Sequence, residues 1–230
     1  MGNYLARVNP LYFAALHRTA GDGDVRYWLN AVHIERHHSE GVILVSTNGH
    51  VMAAMHDPDG WLHPERTTLT VQRTNKRVLS AISKRPSKGG LSPKSLWIGE
   101  SCLVLSANED TSEEPEPFGP FSLVAERSAL VVDHDPLNWR RPIPKGEDTA
   151  APWLNPQYLA LFNDIAQVLV PSKYCPSLRL IASGENGAVL VRLSAPFLVE
   201  RFLGVIMPMR NDPVESPHPE FLKLDEGASA

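Results

Sequence analysis

Apolar and polar positions along this chain change period repeatedly, and each change marks an element. Residues 3–8 alternate and predict a short strand. Asn9-Pro10 then supplies an N-cap and a first-turn proline. Phe13, Leu16 and Ala20 share one face of a helix expected to stop near Gly21. Tyr27 to Ile34 alternates as a strand. Gly41 to Ser46 and Val51 to Met55 read as strands on either side of an Asn48-Gly49 turn.

The pattern then restarts twice. Thr67 to Val71 predicts a strand, Asn75 to Lys84 a helix, and Leu96 to Gly99, Leu103 to Ala107 and Phe121 to Ala125 three strands. Asn155-Pro156 opens a third helix through Leu169, followed by strands at Leu178 to Ala182, Ala188 to Leu193 and Leu203 to Met207. The expected fold class is therefore α+β, built from about three half-repeats of strand, helix and antiparallel strands. Residues 1–136 are expected to form one domain of two half-repeats, 1–64 and 65–136. Residues 137–152 read as a connector rich in proline and charge, 153–210 as a third half-repeat, and 211–230 as a tail.

Composition sharpens this outline. Of 230 residues, 43% are apolar, which is enough for a real core. No apolar run approaches the ~20 residues of a membrane helix, and residues 1–18 lack the three zones of a secretory signal. Cys102 and Cys175 lie far apart with no CxxC partner and read as buried thiols of a reducing cytosol, so the expected location is cytoplasmic.

The net charge of −4 hides an uneven distribution. Between Glu65 and Glu100 there is no acid, but there are eight bases: Arg66, Arg73, Lys76, Arg77, Lys84, Arg85, Lys88 and Lys94. At 100° per residue, Val78, Leu79 and Ile82 of the second helix fall on one arc. Arg73, Lys76, Arg77, Ser80, Ser83 and Lys84 fall on the opposite arc. Point charges and small hydroxyls without acids suit sequence-independent phosphate contact. A solvated surface helix would show the same pattern. The first helix has only His17 and Arg18 on its polar side, and the third carries no base. Candidate DNA contacts are thus Arg73, Lys76, Arg77, Lys84, Arg85 and Lys88, all in the second round.

Catalytic signatures are missing: no GxSxG, Walker loop, HExxH or CxxC occurs. His33, His37, His38, His50, His56 and His63 are dense, but they fall on strand and turn rather than at a converging ligand spacing. The expectation is a non-enzyme with no metal and no cofactor.

Three segments carry a family resemblance. Tyr27-Trp28-Leu29-Asn30, followed by the Ser46-Thr47-Asn48-Gly49-His50-Val51-Met52-Ala53 hairpin, resembles the middle domain of the bacterial DNA polymerase III beta subunit. There, a YLNG strand precedes an ATDGHRLA hairpin. Asp135 to Pro144, reading DPLNWRRPIP, resembles that family's FPDYRRVLP segment. Val205-Ile206-Met207-Pro208-Met209-Arg210 resembles its C-terminal VMPMR. The three occur in the family's order, and the similarity covers about residues 4–210.

The resemblance implies a sliding clamp: helices lining a DNA-sized hole, sheets outside, and a processivity role held by topology. It also implies a groove for short peptides. The matching positions are Leu29, Thr47, Gly49, His50, Val51 and Met52 on one side, Arg141 and Pro142 on the connector, and Val205, Ile206, Met207, Pro208, Met209 and Arg210 on the other side. Taken without the resemblance, these apolar residues read as ordinary strand core. The implied partners are a DNA polymerase or other proteins bearing a clamp-binding peptide, double-stranded DNA, a clamp loader and further copies of the chain, with no membrane.

Departures from the family bear on these expectations. Asn48 stands where the family has Asp, and Val51 where it has Arg. The family has three domains of two half-repeats each, against three half-repeats here. A non-encircling relative, acting as a peptide-binding adaptor or decoy, is the alternative expectation.

Overall fold

The computed structural model describes residues 4–83, 90–126, 131–132, 134–143, 152–170, 176–184, 186–195 and 198–210. The first round comprises β1 (Tyr4–Val8), α1 (Pro10–Leu16), β2 (Ala31–Arg36), β3 (Val42–Thr47), β4 (Val51–Asp57) and β5 (Trp61–Leu62). The second comprises β6 (Thr68–Gln72), α2 (Lys76–Ser83), β7 (Ser95–Gly99), β8 (Leu103–Ser106), β9 (Ser122–Glu126) and β10 (Val131–Val132). The third comprises α3 (Pro156–Leu169), β11 (Leu178–Ile181), β12 (Val189–Leu193) and β13 (Phe202–Ile206).

All three helices start on an asparagine. The Oδ1 atoms of Asn9, Asn75 and Asn155 accept the amides of Leu11, Arg77 and Gln157, each at 2.9 Å. Two local expectations need correction. The first helix ends at Leu16, not near Gly21, because the chain tightens into three-residue turns: the Arg18 and Thr19 amides donate to the Ala15 and Leu16 carbonyls. Residues Tyr27–Leu29 form a 3-10 turn rather than strand. The Asn30 side chain brackets Asp24, accepting its amide at 3.0 Å and donating to its carbonyl at 2.8 Å, which bends the chain before β2.

The rounds exchange strands. One sheet runs β5-β1-β7-β8-β9, and the other runs β10-β6-β2-β3-β4-β13-β12-β11. Strand β1 leaves its own round to pair with β7, and β6 reciprocally pairs with β2. The third round joins through β13, which pairs antiparallel with β4.

Both sheets pack one face against the helices. Phe13 and Leu16 of α1, Val78 and Ile82 of α2, and Phe162 and Ile165 of α3 share a single core with inward-facing strand residues. Helix α1 is buried along all but Leu11. Gly204 on β13 lets α3 seat closely, since a Cβ there would lie 2.3 Å from Phe162 Cε1. The outer face of the larger sheet is also covered, by a second cluster of Val45, Met52, Ala54, Trp139 and Val205. Burial on both faces explains why β4 reads as an almost unbroken apolar run. No helix among the described residues is long and apolar enough to cross a membrane.

Candidate functional site

Strands β4 and β13 bring two distant segments together. Their register sets Ile206 opposite Val51 and Val205 opposite Met52. One residue further on, the Met207 amide donates to the His50 carbonyl at 2.9 Å. The β3–β4 hairpin tip and the segment after β13 thus form one ledge. Side chains within the tip hold it rigid. Asn48 Oδ1 accepts the His50 and Val51 amides at 3.0 and 2.9 Å. Thr47 Oγ1 donates to the Val51 carbonyl at 2.8 Å and accepts the Gly49 amide at 3.0 Å. Gly49 sits at φ +87°, a conformation that costs glycine little.

The connector forms the opposing wall. Trp139 is only 9% exposed and packs on Met52, Ala54 and Val205. Its indole Nε1 donates to Glu35 Oε2 at 2.9 Å. Arg140 donates to the two Glu35 oxygens at 3.1 and 2.7 Å, and its guanidinium lies 4.2 Å over the Trp139 ring. Burial raises the Glu35 pKa, but the hydrogen bonds from Arg140 and Trp139 outweigh it and hold the carboxyl below its ordinary value. This latch fixes the connector to β2 and so fixes the groove's width.

Between the walls lies a cavity of about 180 Å³, lined by Thr47, Gly49, His50, Val51, Met52, Leu137, Asn138, Trp139, Pro142, Val205 and Met207. Pockets for whole small molecules run to roughly 300–1,000 Å³, so this one fits a single large apolar side chain. Met207 is 41% exposed at its rim, with Met209 equally open nearby. The His50 ring stacks on Tyr158 of α3, with centroids 5.6 Å apart and planes 13° apart. The Met209 amide donates to the carbonyl of the exposed Trp153 at 2.8 Å, which ties the segment after β13 to the approach to α3.

Of the sequence-predicted groove residues, Thr47, Gly49, His50, Val51, Met52, Pro142, Val205 and Met207 come together around this cavity. Others lie outside its lining. Leu29 is buried in the 3-10 turn, and Ile206 belongs to the principal core because strand alternation turns it away from Val205. Arg141 and Arg210 are exposed, and Pro208 is half-buried. Leu137, Asn138, Trp139 and Tyr158 were not among the expected groove residues. A lone tryptophan in a connector of proline and charge was the available signal for Trp139.

The basic segment is less concentrated in space than in sequence. Lys76 and Arg77 project from α2 into solvent, with no ion pair among the described residues. The Arg73 guanidinium instead donates to the Ala20 and Gly21 carbonyls at 2.9 and 3.0 Å, capping the turn after α1. Lys84, Arg85 and Lys88 lie outside the described residues. His17 is buried, and burial together with the nearby Arg73 charge pushes its pKa down to about 4, so it presents no cation. The His37 ring neighbours those of His38 and His56 at 4.1 and 4.3 Å. Among the described residues, however, no three His, Cys, Asp or Glu side chains converge to hold a metal.

This architecture is that of the bacterial sliding clamps. A DNA polymerase sliding clamp from Pseudomonas aeruginosa matches with TM-score 0.57 at 16% identity, over 92% of this chain and 68% of that one. A DNA polymerase III beta subunit from Bartonella birtlesii, bound to griselimycin, matches with TM-score 0.61 at 15% identity, over 92% and 67%. The H. pylori beta clamp in complex with diflunisal matches with TM-score 0.60 at 8% identity, over 92% and 68%. No protein-family model matches the sequence, nor does any curated protein. The chain therefore has the sliding-clamp fold, spanning about two thirds of the length of those clamps.

Proposed function

We propose that this chain is a non-catalytic, clamp-like accessory protein of cytoplasmic DNA replication. Its groove beside the β4/β13 seam takes an apolar side chain of a short clamp-binding peptide from a DNA polymerase or another replication protein. The observation carrying this reading is the meeting of Met207 with His50 over a floor of Met52, Val205 and Trp139. An apolar pocket with a rigid hairpin on one side and flexible methionines at the rim suits a leucine or aromatic anchor and tolerates several partners. Burying such an anchor contributes about 1.5–3 kcal/mol. Sequence-independent contact with double-stranded DNA is assigned to Lys76 and Arg77 on α2, with Lys84, Arg85 and Lys88 following in sequence. Encirclement requires further copies of the chain and, for closed circles of DNA, a loader.

The test is fluorescence polarisation with a labelled peptide bearing a leucine–aromatic clamp-binding motif. Saturable binding that His50→Ala weakens without lowering thermal stability is the expected result. Absence of saturable binding by the unmodified protein overturns the peptide reading. A second reading, a non-encircling adaptor or decoy, draws on the burial of α1 and the commitment of Arg73 to backbone carbonyls. Both leave the helix layer with fewer cations than its sequence offers. Under that reading the peptide still binds, but DNA does not associate even at low salt.

A further inference from the structure

Beyond Arg210 the chain changes character. Residues 211–230 lie outside the described residues, and their sequence sets the acids Asp212, Glu215, Glu220, Asp225 and Glu226 against the single base Lys223. Pro213, Pro217 and Pro219 precede one apolar cluster, Phe221-Leu222-Lys223-Leu224, which has acids on both sides. A stretch kept in water by charge and proline gains nothing from three large apolar side chains within four positions. Apolar anchors flanked by solubilising charge are instead the composition of a linear segment that orders on a surface.

The groove is within its reach. Met207 lines the cavity of about 180 Å³, and the Met209 amide is pinned to the Trp153 carbonyl, so the chain leaves the described fold beside the pocket. Three residues span no more than roughly 11 Å, which bounds the separation of Arg210 from Met207. Phe221 follows Arg210 by about eleven residues. A tether of that length extends to roughly 36–40 Å at most and averages roughly 17–20 Å as a coil. The side chains that await it are apolar and open: Trp153, Met207 and Met209 are all exposed. Charge is complementary as well. Arg141, next to Pro142 of the lining, and Arg210 are exposed, and neither makes an ion pair among the described residues.

We propose that the groove's resident occupant is residues 221–224 of this same chain, docked in cis with the flanking acids toward Arg141 and Arg210. Leu222 and Leu224 stand two positions apart and share one side of an extended segment, so one fills the cavity and the other meets the exposed methionines. This rests on the reading of the groove as a peptide site, and it gives that site a regulator: an external peptide binds only by displacing the tail. Tethering sets a local concentration on the order of 1 mM. A segment of about 0.1 mM intrinsic affinity then covers the groove most of the time and weakens an external peptide about tenfold.

The experiment compares the full chain with a variant carrying Phe221→Ser, Leu222→Ser and Leu224→Ser together. Fluorescence polarisation reads the affinity of each for the labelled leucine–aromatic peptide. Methyl NMR reads Met207 and Met209 with no peptide added. The expected result is about tenfold tighter peptide binding by the variant. Both methionine signals should also differ between the two proteins, by the same amount at every protein concentration. Equal, measurable peptide affinity overturns the proposal, and so do coincident methionine signals. A difference that grows with protein concentration overturns docking in cis and assigns the segment to the groove of a second copy. If neither protein binds the labelled peptide, the peptide reading falls, and the methionine signals alone decide whether the tail docks.

Discussion

The groove beside the β4/β13 seam is assembled from three segments far apart in the chain, whereas the basic face of α2 comes from one local run. The groove's walls are fixed twice over: by a ladder that sets Met207 on His50, and by a latch of Glu35, Arg140 and Trp139. The α2 face has no such support. Lys76 and Arg77 stand in solvent, and Arg73, their neighbour in sequence, has been drawn off to cap the turn after α1. A concave apolar site needs rigid walls, because its selectivity lies in shape. A phosphate-facing surface needs only charge at about the right distance, and tolerates motion.

The most disruptive way to separate the two regions is Trp139→Ala. Removing this side chain empties the outer cluster and frees Glu35 from its indole partner, with an expected loss of about 3 kcal/mol in urea denaturation. Peptide binding should disappear, while DNA association through α2 persists. Loss of both activities in a protein that remains folded would show that the regions are not independent.

Acid separates them by a different route. His17 and His33 are held neutral, chiefly by burial, with pKa values pushed from 6.5 down to about 4. The unfolded chain binds more protons in that window, so stability is full above pH 6.5 and falls as pH drops toward 4. Glu35 has its carboxyl pKa lowered from 4.5, so the latch contributes fully above that pH and loses its contribution as pH falls below it. Asp57, whose carboxyl is pushed up by burial, works in the opposite sense and partly offsets the histidines. Unfolding free energies measured by urea denaturation across this pH range should fall by roughly a few kcal/mol, and His17→Leu should flatten the slope. An unchanged slope in that variant would remove His17 from the account.

Met207→Ala tests the groove without disturbing the core, since its side chain is an exposed rim rather than a floor. Peptide affinity should drop by about 1.5 kcal/mol, roughly tenfold, with an unchanged melting temperature. The smallest effect is expected from the double change of Lys76 and Arg77 to Ala. Each cation removed from phosphate contact lowers the slope of log affinity against log salt by about 0.9, so the pair should reduce it by roughly 2. Peptide binding should stay as it was, and a slope equal to that of the unmodified protein would take α2 out of the DNA surface.

Much of the fold was legible because it is written locally. Asparagine caps opened the helices where expected, and α3 runs from Pro156 to Leu169 as the pattern indicated. The Asn48-Gly49 turn sits between its two strands. The errors came where side chains compete with the regular ladder. Asn30 bends Tyr27–Leu29 out of a strand that its alternation favours, and the residues after Leu16 tighten into turns that no periodicity announces. Leu29 and Ile206 look like groove residues by position, yet both are buried: Leu29 in the 3-10 turn, and Ile206 in the principal core because strand alternation turns it away from Val205.

By itself the sequence indicated most of the strands and helices, the restarts of their pattern, and three segments that resemble the clamp family. Periodicity, caps and turn residues act over a few positions, so they can be read from neighbours alone. Only the tertiary structure decided that the first two rounds trade β1 and β6, that β13 seals the edge of β4, and that Trp139 packs against Met52, Ala54 and Val205 beside the groove. It also decided that Arg73 serves a backbone turn. These depend on contacts between residues far apart in the chain, such as Val51 with Ile206, where the free energy of burying one surface against another outweighs any local preference.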